Sequence, residues 1–218
     1  MAATTVVTIS RQLGSGGSQI GQIVAARLRF HYADREVLEL AAKALGMEER
    51  ELAERDERLS SLWDSLTPAF VVGWPDAQYL PPPIRVVTDD ALFATERRVI
   101  RTLASSGDCV IVGRGAVHVL RDDPDAIHVF LHAPVEFRVR RTMEVYEVRT
   151  EEDALSRIRE SDRSRERFLR RMAGFDWTLA TNYHLSLDTS RLSLEQTAQV
   201  IVDYVAAARR PGAPPAKT

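Results

Sequence analysis

Thr5–Ser18 reads TVVTISRQLGSGGS, and the change of character inside it decides the fold. Thr5–Ser10 is largely β-branched and apolar, the composition of a strand buried on both faces. The run stops at a Gly/Ser-rich turn, Gly14–Ser18. Beyond it, Ile20, Ile23, Val24 and Leu28 recur at helical spacing across Gln19–Arg29. Strand, glycine loop and helix follow one another without a break.

The alternation continues outward. Phe30–Ala33 reads as a short strand, followed by helices at Arg35–Leu45 and Glu48–Leu62 that separate at Gly46. Trp63, Phe70, Trp74 and Tyr79 then interleave with Pro68, Pro75 and Pro81–Pro83, so residues 65–88 cannot form one regular helix. They read as an irregular, lid-like insertion. Asp89–Ser106 is helical again, and Cys109–Val112 and Ile127–Leu131 are short apolar runs suited to the interior of a parallel sheet. Pro134 falls in the first turn of a helix over Val135–Tyr146. Glu151–Met172 is a long polar helix, His184–Asp188 a last strand, and Ser193 an N-cap for a helix over Ser193–Ala208. The tail 211–218 reads as disordered. Strands alternating with helices predict a three-layer α/β fold, a five-stranded parallel sheet with helices on both faces. Ligands in such sheets lie at the carboxyl ends of the strands, which is where Ser10–Ser18, Asp34, Gly113–Gly115 and Ala133 fall.

Bulk properties exclude several classes. A chain of 218 residues, 44% hydrophobic and 28% charged, can build one sizeable core. A net charge of −2 gives no general attraction to nucleic acid or to anionic membranes. Cys109 is the single cysteine, which rules out an internal disulfide, and the five histidines show no metal-ligand spacing. No signal peptide or membrane-length apolar run is present, so a cytoplasmic location is expected by elimination. All basic residues except Lys43 and Lys217 are arginines.

Between a strand and a helix, a glycine-rich turn suits phosphate. Its backbone N–H groups converge, and the helix presents the positive end of its dipole. The bland alternative is a plain connection. The usual pattern is G-x-x-x-x-G-K-[ST]. With Gly16 and Ser18 at the last glycine and hydroxyl positions, Gly17 replaces the lysine and Arg11 replaces the first glycine. Arg11 is therefore a candidate for the missing charge; an ordinary surface ion pair is the alternative.

These residues resemble the cytidylate kinase family, and more closely its cytidylate-kinase-like branch with the loop S-R-x-x-G-S-G-G, here Ser10–Gly17. Gly113-Arg114 resembles the Gly-Arg after that family's third strand. Pro124–Met143 resembles its next strand and helix, Ser161–Arg167 (SDRSRER) its arginine-rich lid, and Leu187–Gln196 its last strand and helix start. The likeness spans roughly residues 5–33 and 108–205. It implies a P-loop kinase domain over 1–210, with 46–90 an insertion or monophosphate-binding region and 150–175 the lid helix. It also implies ATP and Mg²⁺ as cofactors, with Gly14, Ser15, Gly16, Gly17 and Ser18 around the donor phosphates and Ser18 at the metal. Arg11, Arg163 and Arg165 would act in catalysis. Asp34, Arg114, Arg140, Arg141 and Asp162 would form the substrate side. A solvated helix face remains the alternative for the arginine runs, and an N-cap for Asp34. The sequence departs from the family at Arg35 and Leu40, where a serine and a base-contacting arginine are expected, and at Val112, where an acidic residue is expected.

Two functions are therefore in view. One is a nucleoside monophosphate kinase-like phosphotransferase acting on CMP, dCMP or a similar small acceptor, with a kinase for a non-nucleotide metabolite as its variant. The other is a non-catalytic nucleotide-binding module with a degenerate loop. Either would work as a monomer or homodimer, with nucleotides as partners and neither nucleic acid nor membrane.

Overall fold

The computed structural model describes residues 4–34, 90–173 and 176–209. In these, β1 (Val6–Arg11), β2 (His31–Ala33), β3 (Cys109–Val112), β4 (Ala126–His132) and β5 (Leu185–Asp188) form one parallel sheet in the order β2-β3-β1-β4-β5. The helices are α1 (Gly17–Leu28), α2 (Asp90–Ser106), the single turn α3 (Ala116–Val119), α4 (Val135–Tyr146), α5 (Glu151–Ala173) and α6 (Leu194–Ala208). The expected helices at 35–45 and 48–62, the irregular stretch 65–88 and the tail 211–218 lie outside the described residues.

Alternate residues of each strand supply opposite faces. Val7 and Ile9, with Val110, Val112, Val129 and Leu131, pack against Ile20 and Val24 of α1 and Ala198, Ile201 and Val205 of α6. Val6, Cys109, Ile111 and Ala126 face Val99, Ile100 and Ala104 of α2 and Ala116 of α3. The central strand is thus buried on both sides, which is why its sequence shows no polar alternation. A third layer of contact lies over the carboxyl edge. There Leu13 of the loop joins Val139, Val148, Ala154 and Ile158 between α4 and α5.

Element ends differ from expectation for local reasons. α1 starts at Gly17 because Gly16, in the left-handed region at φ 81°, acts as N-cap and accepts from the Ile20 amide. Arg29 turns left-handed at the other end, and the Phe30 N–H bonds back to Ala25. Phe30 therefore belongs to the cap, and β2 begins at His31. Pro134 lies one residue before α4, as its N-cap. Ser193 caps α6 in a reciprocal capping box with Gln196. α3 was not foreseen; it follows a run of left-handed residues at Gly113, Arg114 and Gly115. Among the described residues no helix is long and apolar enough to cross a membrane.

Inside the sheet, buried Thr8 pairs in register with His128, and its hydroxyl lies 2.8 Å from His128 Nδ1. The His128 backbone N–H donates to His184 Nδ1 at 2.9 Å, and the two rings stack 5.1 Å apart. Burial, then the nearby His184, pushes the His128 imidazole down to about 4, and burial also lowers His184. An unfolded chain takes up a proton on His128 near pH 6.5, whereas the folded chain does not until about pH 4. The contribution is therefore complete above pH 6.5 and is lost as pH falls from 6.5 towards 4. Denaturant melts at pH 7.5 and 4.5 should show wild type losing about 2–3 kcal/mol more than His128→Asn across that interval. Equal losses would mean that the imidazole is already protonated in the fold.

Candidate active site

The loop after β1 is stapled to the end of β4. The Gln12 N–H donates to the Leu131 carbonyl at 3.0 Å, and Gln12 Oε1 accepts from the Ala133 N–H at 3.3 Å. The Gln12 carbonyl accepts both the Ser15 N–H and, at 2.8 Å, the Ser15 hydroxyl. Ser15 is thereby turned into the loop. Ser18, half-buried in the first turn of α1, is the loop hydroxyl not spent in this way.

Arg11 ends β1 and lies across this loop. A Cβ added at Gly17 would sit 2.6 Å from Arg11 Cβ and 2.5 Å from its Cγ, so the arginine stem fills the space over residue 17. A Cβ added at Gly113, just beyond β3, would sit 1.8 Å from Arg11 Nη1 and 2.9 Å from Cζ. The guanidinium therefore rests against a bare backbone at the mouth of the loop. No described residue gives it an ion pair or hydrogen bond. Gly113 is doubly constrained, since its φ of 82° already disfavours any side chain.

Arg165 of α5 comes to the same place. Its Nη1 lies 3.4 Å from Asp162 Oδ1, and its side chain is 26% exposed. Burial, then the positive charge of Arg11, holds the Arg165 guanidinium well below its ordinary value. Tyr146 completes the cluster: burial raises its hydroxyl against the pull of Arg165, Arg11 and Arg141. Like charges brought together disfavour one another, a cost that an anion between them would relieve.

The remaining sequence-predicted residues are distributed around this centre. Arg141 donates to Gln19 Oε1 of α1 and lies beside Gly16 and Leu194. Arg114 is held left-handed at φ 55° and pairs at 3.2 Å with Glu96, a carboxylate buried on α2. Asp34 is buried at the end of β2, and the Tyr32 hydroxyl sits between its carboxylate (3.4 Å) and the Ser18 carbonyl (3.2 Å). Arg140 is exposed. Arg163 parts from Arg165, because residues two apart on a helix point to nearly opposite sides. It lines a cleft of about 410 Å³ with Arg159, Glu166 and Trp177, a cleft that also reaches Gln12, Arg138 and Asp162 and so adjoins the site. Asp162 gives its two oxygens to Arg138 and Arg165. Val112 is fully buried, and its Cγ2 faces Gly21 of α1, so its side chain belongs to the core rather than to the site.

Sequence reasoning passed over Arg138, Glu96 and Tyr146. The signal for Arg138 was available: it shares a helix face with Arg141 at i,i+3, whereas Arg140 does not. Arg138 Nε donates to the Leu13 carbonyl at 2.8 Å, tying α4 to the loop.

A five-stranded parallel sheet with a glycine loop after its central strand and arginines over its carboxyl edge is the fold of the P-loop kinases. The chain belongs to the cytidylate kinase-like family, whose model matches residues 6–191. It is similar to a cytidylate kinase of Pyrobaculum neutrophilum, at 29% identity over 206 residues that cover 92% of each chain. It is also similar to one of Methanopyrus kandleri, at 32% over 109 residues, 46% of this chain and 56% of that one. Among solved structures, an uncharacterized protein from Eubacterium ventriosum superposes with a TM-score of 0.68 at 18% identity, over 94% of this chain and 99% of the other. A gluconokinase from Sinorhizobium meliloti superposes with a TM-score of 0.52 at 12% identity, over 96% and 95%. These two likenesses concern the fold. Family membership supports a nucleotide or small-molecule kinase as the broad class.

The packing of Arg11 on Gly17 has a direct test. Restoring the usual lysine with Gly17→Lys should destabilise the protein by about 2 kcal/mol through overpacking. Most of that loss should be recovered in an Arg11→Ala background. Denaturant titration of both variants checks it, and an equal penalty in both would show that Arg11 does not occupy the space.

Proposed function

We propose that this protein transfers the γ-phosphoryl group of ATP to CMP, dCMP or a similar small monophosphate. The observation that carries this reading is Arg11. Its guanidinium, which has no ion pair or hydrogen bond among the described residues, lies over the loop position where P-loop enzymes have lysine, with Arg165 beside it. Amides of Gly14–Ser18 and the start of α1 would cradle the donor phosphates. Arg11 would take the lysine's place on the β- and γ-oxygens, and Arg165 would meet the charge that develops on the transferring group. Arg141, near Gly16 and Leu194, would serve the donor side rather than the acceptor side that the family resemblance implies. Asp34 and Arg114, beyond the ends of β2 and β3, would form the acceptor side. Arg163 and Arg140 would play lesser parts, since neither joins the Arg11 cluster.

An ionised phosphate oxygen of the acceptor attacks Pγ. The bond from Pγ to the β–γ bridging oxygen breaks, and that oxygen leaves on ADP. The attacking oxygen needs little deprotonation near neutral pH, so no side-chain base is required. Mg²⁺ requires few protein ligands when phosphates and water complete its shell, and the Ser18 hydroxyl fits that role. When bound, the metal would neutralise charge on the β- and γ-phosphates.

One observation favours a second reading, a nucleotide-binding module without catalysis. The residue at the end of β3 is Val112, buried in the core where the family has an acid. Single-turnover transfer from labelled ATP with Mg²⁺, over a panel of nucleoside monophosphates and a no-acceptor control, separates the two. The expected result is acceptor-dependent transfer, strongest with CMP or dCMP, and a fall of roughly 100-fold or more in Arg11→Ala. Nucleotide binding without transfer to any acceptor would favour the second reading.

A further inference from the structure

We infer that Asp162 and Arg138 are positioning residues that set Arg165 against Arg11 before any ligand arrives. This rests on the phosphotransferase reading above. The Arg138 side chain is almost wholly buried and carries a charge that must be met. It is met on two sides: Nε donates to the Leu13 carbonyl at 2.8 Å, and Nη2 donates to Asp162 Oδ2. The other Asp162 oxygen faces Arg165 Nη1 at 3.4 Å. A continuous path therefore runs from the loop backbone through α4 to α5 and back to the loop mouth.

The chemistry sets the role of each member. Arg11, Arg138 and Arg165 bring three guanidiniums towards one point, and Asp162 is the carboxylate paired with two of them. Without it, Arg165, already partly exposed, would be driven into solvent by its neighbours. Asp162 is a poor direct contact for the substrate, because a carboxylate repels phosphate and both of its oxygens are engaged. The geometry fixes a cation in place without neutralising the site, since one carboxylate serves two guanidiniums and Arg11 has no ion pair among the described residues. Such preorganisation is what lets a charged group act on a transition state without moving first.

The test is a double-mutant cycle of Asp162→Asn and Arg165→Ala, read as the ATP dissociation constant by calorimetry, with a melting temperature for each variant. Asn retains an oxygen for Arg138, which guards against unfolding. Arg165→Ala should weaken ATP about tenfold and Asp162→Asn about fivefold. In the Arg165→Ala background, Asp162→Asn should add less than about twofold, because it acts through a side chain already removed. Asp162→Glu should recover most of the lost affinity, and Arg170→Ala, an exposed change on the same helix, should leave it unchanged. Independent losses that multiply to about fiftyfold in the double variant would overturn the inference while leaving the kinase reading intact. Failure of wild type to bind ATP at all would remove the kinase reading and this inference with it.

Discussion

The space above Gly17 holds one side chain, and the stem of Arg11 fills it. Much of the site's organisation follows from that exclusion. In the usual loop the cation grows from the first residues of the helix, and the strand before it ends in glycine. Here the order is reversed: the strand ends in arginine and the helix begins with glycine. The charge reaches the same mouth from the other side, and it requires a second bare backbone, at Gly113, to lie against. Positions 11, 17 and 113 therefore act as one unit although they come from three elements.

Around this unit four arginines at the carboxyl edge of the sheet are held by polar partners without their charge being cancelled. Glu96 takes Arg114, Asp162 takes Arg138 and Arg165, and Gln19 takes Arg141. Buried pairs of this kind add little net stability, because desolvation offsets most of the attraction. Their effect is to place guanidiniums. Arg114 shows the cost of placement directly: a non-glycine residue held left-handed is strained by about 1–3 kcal/mol, and its pairing with Glu96 helps to hold it there.

How much of this could be read from the sequence depended on the range of the interaction. The strand–loop–helix opening and the buried runs Cys109–Val112 and Ile127–Leu131 are local patterns, and the elements appear within a residue or two of expectation. The glycine loop between β1 and α1 and the nearness of Arg11 to it were also legible, because a missing lysine and an extra arginine are visible in one short motif. The partition of the arginines was not. SDRSRER sets Arg163 and Arg165 two residues apart, but helix geometry turns them away from each other, Arg165 onto Asp162 and Arg163 into the cleft beside Trp177. RVRR drew attention to adjacent Arg140 and Arg141, whereas the burial of Arg138 depends on a carbonyl in the loop and a carboxylate on another helix. Contacts between elements distant in sequence leave no spacing to count.

Cys109 lies at the opposite end of β3 from Gly113, wholly enclosed between the sheet and α2. Burial first, then the neighbouring Asp108 and Asp123, pushes its thiol up to about 12. Only the thiolate reacts with alkylating reagents, so the native molecule is chemically silent towards them. Because the chain has no other cysteine, each labelled molecule records one event, the parting of α2 from the sheet, without any engineered probe.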